Sequence, residues 1–226
     1  MNEISRQLLA CLVAAHFIGD FVFQTGKEAE SKSNFFILLK HSFIVCIVSY
    51  VICGAWMFWK IPVIIFVTHI AIDFVKMSKR KAYLFLSDQI AHLIVLIVLA
   101  LAIATENEIS LYWVSLWGNG FIKVLVVLTG CVIVTKAGSI LIGLAVEPFL
   151  KEIQEQNQDR SQNGYQQIRG LEKGGNVIGQ LERGLIFIFV LVGQPEGIGF
   201  LIAAKSILRF GEIKESQQRR EAEYII

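Results

Sequence analysis

Seven apolar runs, covering about 7 to 24, 34 to 59, 62 to 77, 82 to 104, 121 to 150, 177 to 193 and 197 to 210, dominate this chain. A bilayer core of roughly 30 Å takes about 20 helical residues to cross. Inside it every backbone N–H and C=O must be satisfied within the segment, which leaves helices or closed barrels. The runs lack the ten-residue alternation of an outer-membrane barrel, and only three prolines interrupt 226 residues. The fold class expected is therefore all-α, a polytopic transmembrane helical bundle of about seven spans. Composition agrees. With 54% hydrophobic and 18% charged residues the chain lacks the charge to cover a soluble domain of this size.

Lys and Arg in the loops set the orientation. Lys27 and Lys32 lie in the first loop, Lys79 to Lys81 in the third, Lys151 to Lys173 in the fifth, and Arg219 and Arg220 in the tail. The N-terminus is expected outside and the C-terminus in the cytoplasm of a bacterial inner (plasma) membrane, with membrane lipids as the obligatory partners. The first run lacks a basic n-region and carries His16 and Asp20, unlike a cleaved signal peptide. A net charge of +2 with no long basic block argues against nucleic acid. Cys11, Cys46, Cys53 and Cys131 all lie in apolar runs and read as small buried residues.

Five segments follow. Residues 1–105 form a four-helix bundle, 106–150 an interfacial aromatic stretch and a fifth span, 151–175 a polar cytoplasmic linker, 176–211 a helical hairpin turned at Gln194-Pro195-Glu196, and 212–226 a charged tail. The linker, at 151–173, is the surface on which a soluble cytoplasmic partner is expected. Nothing in the sequence fixes an oligomeric state.

All four histidines fall between positions 16 and 92. His16 precedes Asp20 by four residues, His69 precedes Asp73 by four, and His92 follows Asp88 by four, so each pair shares one helix face. At about 1.5 Å per residue, Asp20, His41, Asp73 and Asp88 come to one depth in the cytoplasmic half of the membrane, and His16, His69 and His92 to a second depth roughly 5 Å further in. H-x-x-x-D-F-V occurs twice, at His16 to Val22 and at His69 to Val75, and each copy precedes a basic loop and a helix with a further histidine. A parallel duplication of a two-helix unit would bring these polar groups to a common axis.

Ionisable groups at membrane depth are a functional-site hypothesis by default. Imidazole and carboxylate are the usual ligands of zinc and other divalent transition metals, and bundle-core metal sites draw on i, i+3 and i+4 pairs. The expected ligand set is His16, Asp20, His41, His69, Asp73, Asp88 and His92, around one metal or two, with zinc as the cofactor. A bound metal would activate water toward a phosphoester or acyl bond, with Asp88 or Asp20 as general base. Gln24, Lys27, Lys76 and Gln89 border the cluster and are expected to contact substrate. In the C-terminal hairpin Glu182 and Arg183 on one arm face Lys205 and Arg209 on the other. The simplest reading there is an interhelical ion pair, and the alternative is that Arg183, Lys205 and Arg209 bind an anionic headgroup or substrate phosphate.

The segments His16 to Gln24, His41-Ser42, His69 to Asp73 with Lys76, and Asp88-Gln89 with His92 together resemble a bacterial family of uncharacterised integral-membrane proteins of the DUF type. Gly174 to Arg183, Ala203 to Phe210 and Glu223-Tyr224 are similar to the second half of its longer members. More loosely, the His/Asp pattern resembles membrane-bound metal-dependent hydrolases, which implies hydrolysis of a lipid-linked or phosphoester substrate. A transporter or channel component moving protons or metal ions through the same cluster, and a non-catalytic scaffold or sensor, are the alternative expectations.

Overall fold

The computed structural model of the chain describes residues 1–25, 28, 34–75, 81–103, 109–161 and 174–212, excepting the side chains of 153–161 and 208–212. Among them the only regular structure is helical. The chain divides into a first unit, Met1–Ala137, and a second, Gly138–Ile226.

The first unit contains α1 (Glu3–Phe21), α2 (Phe35–Cys53), α3 (Lys60–Val75), α4 (Ala82–Ile103), the short α5 (Tyr112–Trp117) and α6 (Asn119–Val132), which passes into a π-helical turn, Ile133–Ala137. α1 starts where Asn2 Oδ1 accepts the Ser5 N–H at 2.7 Å, satisfying one of the donors a helix N-terminus leaves free. It packs against α2, α4 and α6, which makes it the central helix of the unit. Its sequence suits that place: Leu8, Cys11, Leu12 and Ala15 are fully buried, and small residues let neighbours approach closely. A Cβ on Gly19 would stand 2.9 Å from Val45 Cγ2 on α2. α2 also packs on α3 and α3 on α4, so Asp73 and His69 of α3 look inward toward α1 and α2.

Aromatic residues close one end of this unit. Tyr50, Trp56, Tyr112, Trp113, Trp117 and Phe121 make successive ring contacts, the amphipathic chemistry of a membrane interface. Trp113 Nε1–H donates to the Val51 carbonyl at 2.6 Å, and Tyr50 Oη–H to that of Trp56 at 2.7 Å. Gly54 ends α2 with φ +59°, and a Cβ there would meet Trp113 Cδ1 at 2.9 Å. Gly54→Ala is therefore expected to destabilise the unit by about 2 kcal/mol or more, from the left-handed backbone and the overpacked indole together. Gly120→Ala meets nothing within 4 Å and is expected to leave stability within about 0.5 kcal/mol. Denaturant unfolding in detergent measures both. At the opposite end the Lys40 ammonium, 2.7 Å from Glu28, holds that carboxyl down at about 2, with the Thr25 N–H and hydroxyl assisting.

The second unit contains α7 (Gly138–Ser161), α8 (Gly174–Leu191) and α9 (Pro195–Glu212). α8 and α9 form the expected hairpin, and a Cβ on Gly197 would lie 2.7 Å from the Phe189 ring. The helix predicted to stop near 150 runs on to Ser161, because Glu, Gln and Lys are good helix formers even without an apolar face. Residues 162–173 of the predicted linker, and the tail from 213, lie outside those described.

Among the described residues five stretches are long and apolar enough to cross a membrane: Glu3–Phe21, Phe35–Cys53, Ala82–Ile103, Asn119–Glu152 and Gly174–Leu191. α3, at 16 residues, and α9 are the two remaining expected spans and fall outside that set.

Candidate metal centre in the first unit

Each i, i+4 pair closes on its own helix. His16 Nδ1 is 3.8 Å from Asp20 Oδ2, His69 Nε2 is 3.6 Å from Asp73 Oδ2, and His92 Nδ1 is 3.9 Å from Asp88 Oδ1. The helices then bring the pairs together. Asp20 Oδ1 on α1 stands 3.4 Å from His41 Nε2 on α2 and 3.6 Å from His69 Nε2 on α3, and the two imidazole nitrogens are 3.1 Å apart. Asp73 Oδ2 lies 3.9 Å from His41 Nε2. All seven residues are buried, none of them more than 9% exposed.

The three closest atoms have a simple metric consequence. Points separated by 3.1, 3.4 and 3.6 Å lie on a circle of radius about 2 Å, which is the length of a zinc–nitrogen or zinc–carboxylate bond. A cation slightly off the plane of His41 Nε2, His69 Nε2 and Asp20 Oδ1 would thus meet all three at ligand distance. His16, Asp20 and His69, and likewise His41, His69 and Asp73, are sets whose donor atoms lie within 4.8 Å of one another. The His/Asp cluster can hold a metal ion.

His92 is set differently. Its Nδ1 bonds the Asp88 carbonyl at 2.9 Å, so Nδ1 carries the proton and Nε2 the lone pair. That Nε2 is buried with no hydrogen-bond partner. The ring stacks on His16, centroids 4.8 Å apart, and tilts against His69 at 4.5 Å. His16, His69 and His92 line a small cavity with Ser49, Thr68 and four aliphatic side chains. Ser49 and Thr68 were not singled out in the sequence, although Thr68 adjoins His69 and Ser49 lies two turns from His41.

The residues expected to contact substrate are distributed more widely. Gln89 is buried; its amide N–H donates to Asp88 Oδ2 at 3.1 Å, and its Oε1 lies 3.3 Å from His16 Nε2. Gln24 is half-buried, with an amide nitrogen that has no hydrogen-bond partner. Lys27 and Lys76 lie outside the described residues. Arg183 and Lys205 belong to the second unit: Lys205 Nζ pairs with Glu182 at 2.6 Å across the hairpin, and Arg183 donates to Ser139 Oγ. Arg209 lies on α9, but its side chain is outside those described.

Fold and site together define an all-helical protein with several membrane-length helices and a buried His/Asp cluster capable of holding a metal. Residues 8–119 match the family described as "Protein of unknown function (DUF3307)". This match spans just under half of the chain and takes in all four histidines, while the second unit lies beyond it. No curated protein and no solved structure matches the chain.

Proposed function

We propose that this is a multi-pass protein of the bacterial inner membrane, with seven spans and its C-terminus in the cytoplasm, whose first unit is a zinc-dependent hydrolase centre acting on a lipid-linked or phosphoester substrate. The observation that carries the reading is the triangle of His41 Nε2, His69 Nε2 and Asp20 Oδ1, whose dimensions match zinc ligation from three separate helices. Asp73 supplies a further carboxylate beside it. A zinc ion held by these residues would supply Lewis-acid chemistry toward water and substrate. Because Asp20 stands among the imidazoles, the general-base role falls to Asp88, whose Oδ2 is oriented by the Gln89 amide.

The test is hydrolysis by zinc-loaded protein in detergent, with p-nitrophenyl phosphate and a phosphoester lipid as probes. Asp88→Asn is expected to retain zinc and lose at least about a hundredfold in rate, the lower range of a general base's contribution. Full activity in that variant, or no hydrolysis of either probe by zinc-loaded wild type, would count against the hydrolase.

One observation favours a second reading. The cavity lined by His16, His69 and His92 is also lined by Ser49 and Thr68 among aliphatic side chains, a mix of polar and apolar residues that a path for protons or metal ions through the membrane would use. Flux into liposomes that is lost in Asp73→Asn, without hydrolysis, would select it.

A further inference from the structure

Asp20 presents its two carboxylate oxygens to different imidazoles. Oδ1 faces His41 and His69, whereas Oδ2 faces His16 Nδ1 at 3.8 Å. The protonation of His16 follows from its neighbours. Asp88 is an acceptor when ionised, so it fixes the Gln89 amide with its NH2 toward Asp88 Oδ2 and its Oε1 toward His16. An amide oxygen can only accept, so His16 Nε2 is the protonated nitrogen. In the neutral ring Nδ1 then holds the lone pair, and it stands 3.8 Å from a carboxylate oxygen, another acceptor. Two buried acceptors repel unless a proton or a metal cation lies between them; a shared proton draws such atoms to about 2.7 to 3.2 Å, whereas 3.8 Å suits two bonds of about 2.0 to 2.2 Å to one ion.

We infer that the site is dinuclear: Asp20 bridges two divalent cations, one held by Oδ1 with His41 and His69, the other by Oδ2 with His16 Nδ1. This rests on the metal-centre reading above and adds a second position to it. His92 is a further donor for the second cation, since its Nε2 is buried without a hydrogen-bond partner and the residue lines the cavity that His16 also lines. Gln89 acts as a positioning residue: it sets the His16 tautomer. The ligand class is thus a pair of divalent transition metals sharing a carboxylate, an arrangement that in two-metal sites clamps the attacking and leaving oxygens of a phosphoester.

The full-length protein in detergent, stripped with chelator and reloaded with Mn(II), provides the test by elemental analysis and low-temperature electron paramagnetic resonance. Wild type is expected to bind two Mn(II) per chain with an exchange-coupled signal, His16→Ala to bind one with an uncoupled signal, and Gln89→Leu to weaken the second Mn(II) by about 10- to 100-fold, as loss of an outer partner does. One uncoupled ion in wild type would overturn the bridge while leaving the mononuclear centre standing. No bound ion in wild type would overturn both. The wild-type signal decides without any variant having to fold.

Discussion

His69→Ala is expected to empty the metal position that His69 shares with His41 and Asp20 Oδ1. Zinc bound per chain, measured by elemental analysis after gel filtration, should fall by one ion, and affinity at that position by more than about a hundredfold, beyond the 10- to 100-fold that removal of an outer partner costs. His69 is singled out because its Nε2 lies within 3.6 Å of His41 Nε2, Asp20 Oδ1 and Asp73 Oδ2 alike. His41 Nε2, by comparison, stands 3.9 Å from Asp73 Oδ2. Loss of His92 should do less, since its closest bond within the cluster is to the backbone of its own helix. Zinc retained in full by His69→Ala would show that His69 makes a hydrogen-bonded contact between helices and is not a ligand.

The spacing of residues in the sequence made part of this centre legible. Three His/Asp pairs at i, i+4 had to project from single helix faces, and in the structure they do. Converting positions to depth placed the two layers near each other, yet it could not show that His41 and His69 touch across them. That contact depends on the rotation of α2 and α3 about their own axes. Nor could spacing distinguish Asp20 from Asp73 and Asp88. Asp20 becomes the hub only because α1 is the helix that α2, α4 and α6 surround, with Gly19 beside it admitting Val45 of α2 to close range. Gln89 looked like a residue at the border of the cluster, and its turn inward to join Asp88 to His16 is a matter of side-chain direction. The π-helical turn at Ile133–Ala137 was likewise invisible. One residue more in a turn leaves the apolar run long enough to cross a membrane, with Thr135 and Lys136 as the polar residues of the turn.

Asp20→Asn separates a metal centre from an apolar-buried polar cluster by its effect on stability, and the sign is the informative part. A divalent ion that binds only the folded protein stabilises it by about 2.7 kcal/mol at one hundred times its dissociation constant. Wild-type protein should therefore unfold at higher denaturant when zinc is added and at lower denaturant with chelator. In the chelated state the Asp20 carboxylate is buried among imidazoles held 3.4 to 3.8 Å away, and burying a charge without full compensation is destabilising. The amide of Asn carries no such charge. Asp20→Asn is accordingly expected to be as stable as chelated wild type or more so, and to gain little from zinc because its neutral oxygen is a poor ligand. If the cluster serves only to join helices, the same substitution removes charge-assisted contacts and lowers stability by roughly 3 kcal/mol or more, whether or not zinc is present. Unfolding curves of both proteins, each with zinc and with chelator, distinguish the two outcomes.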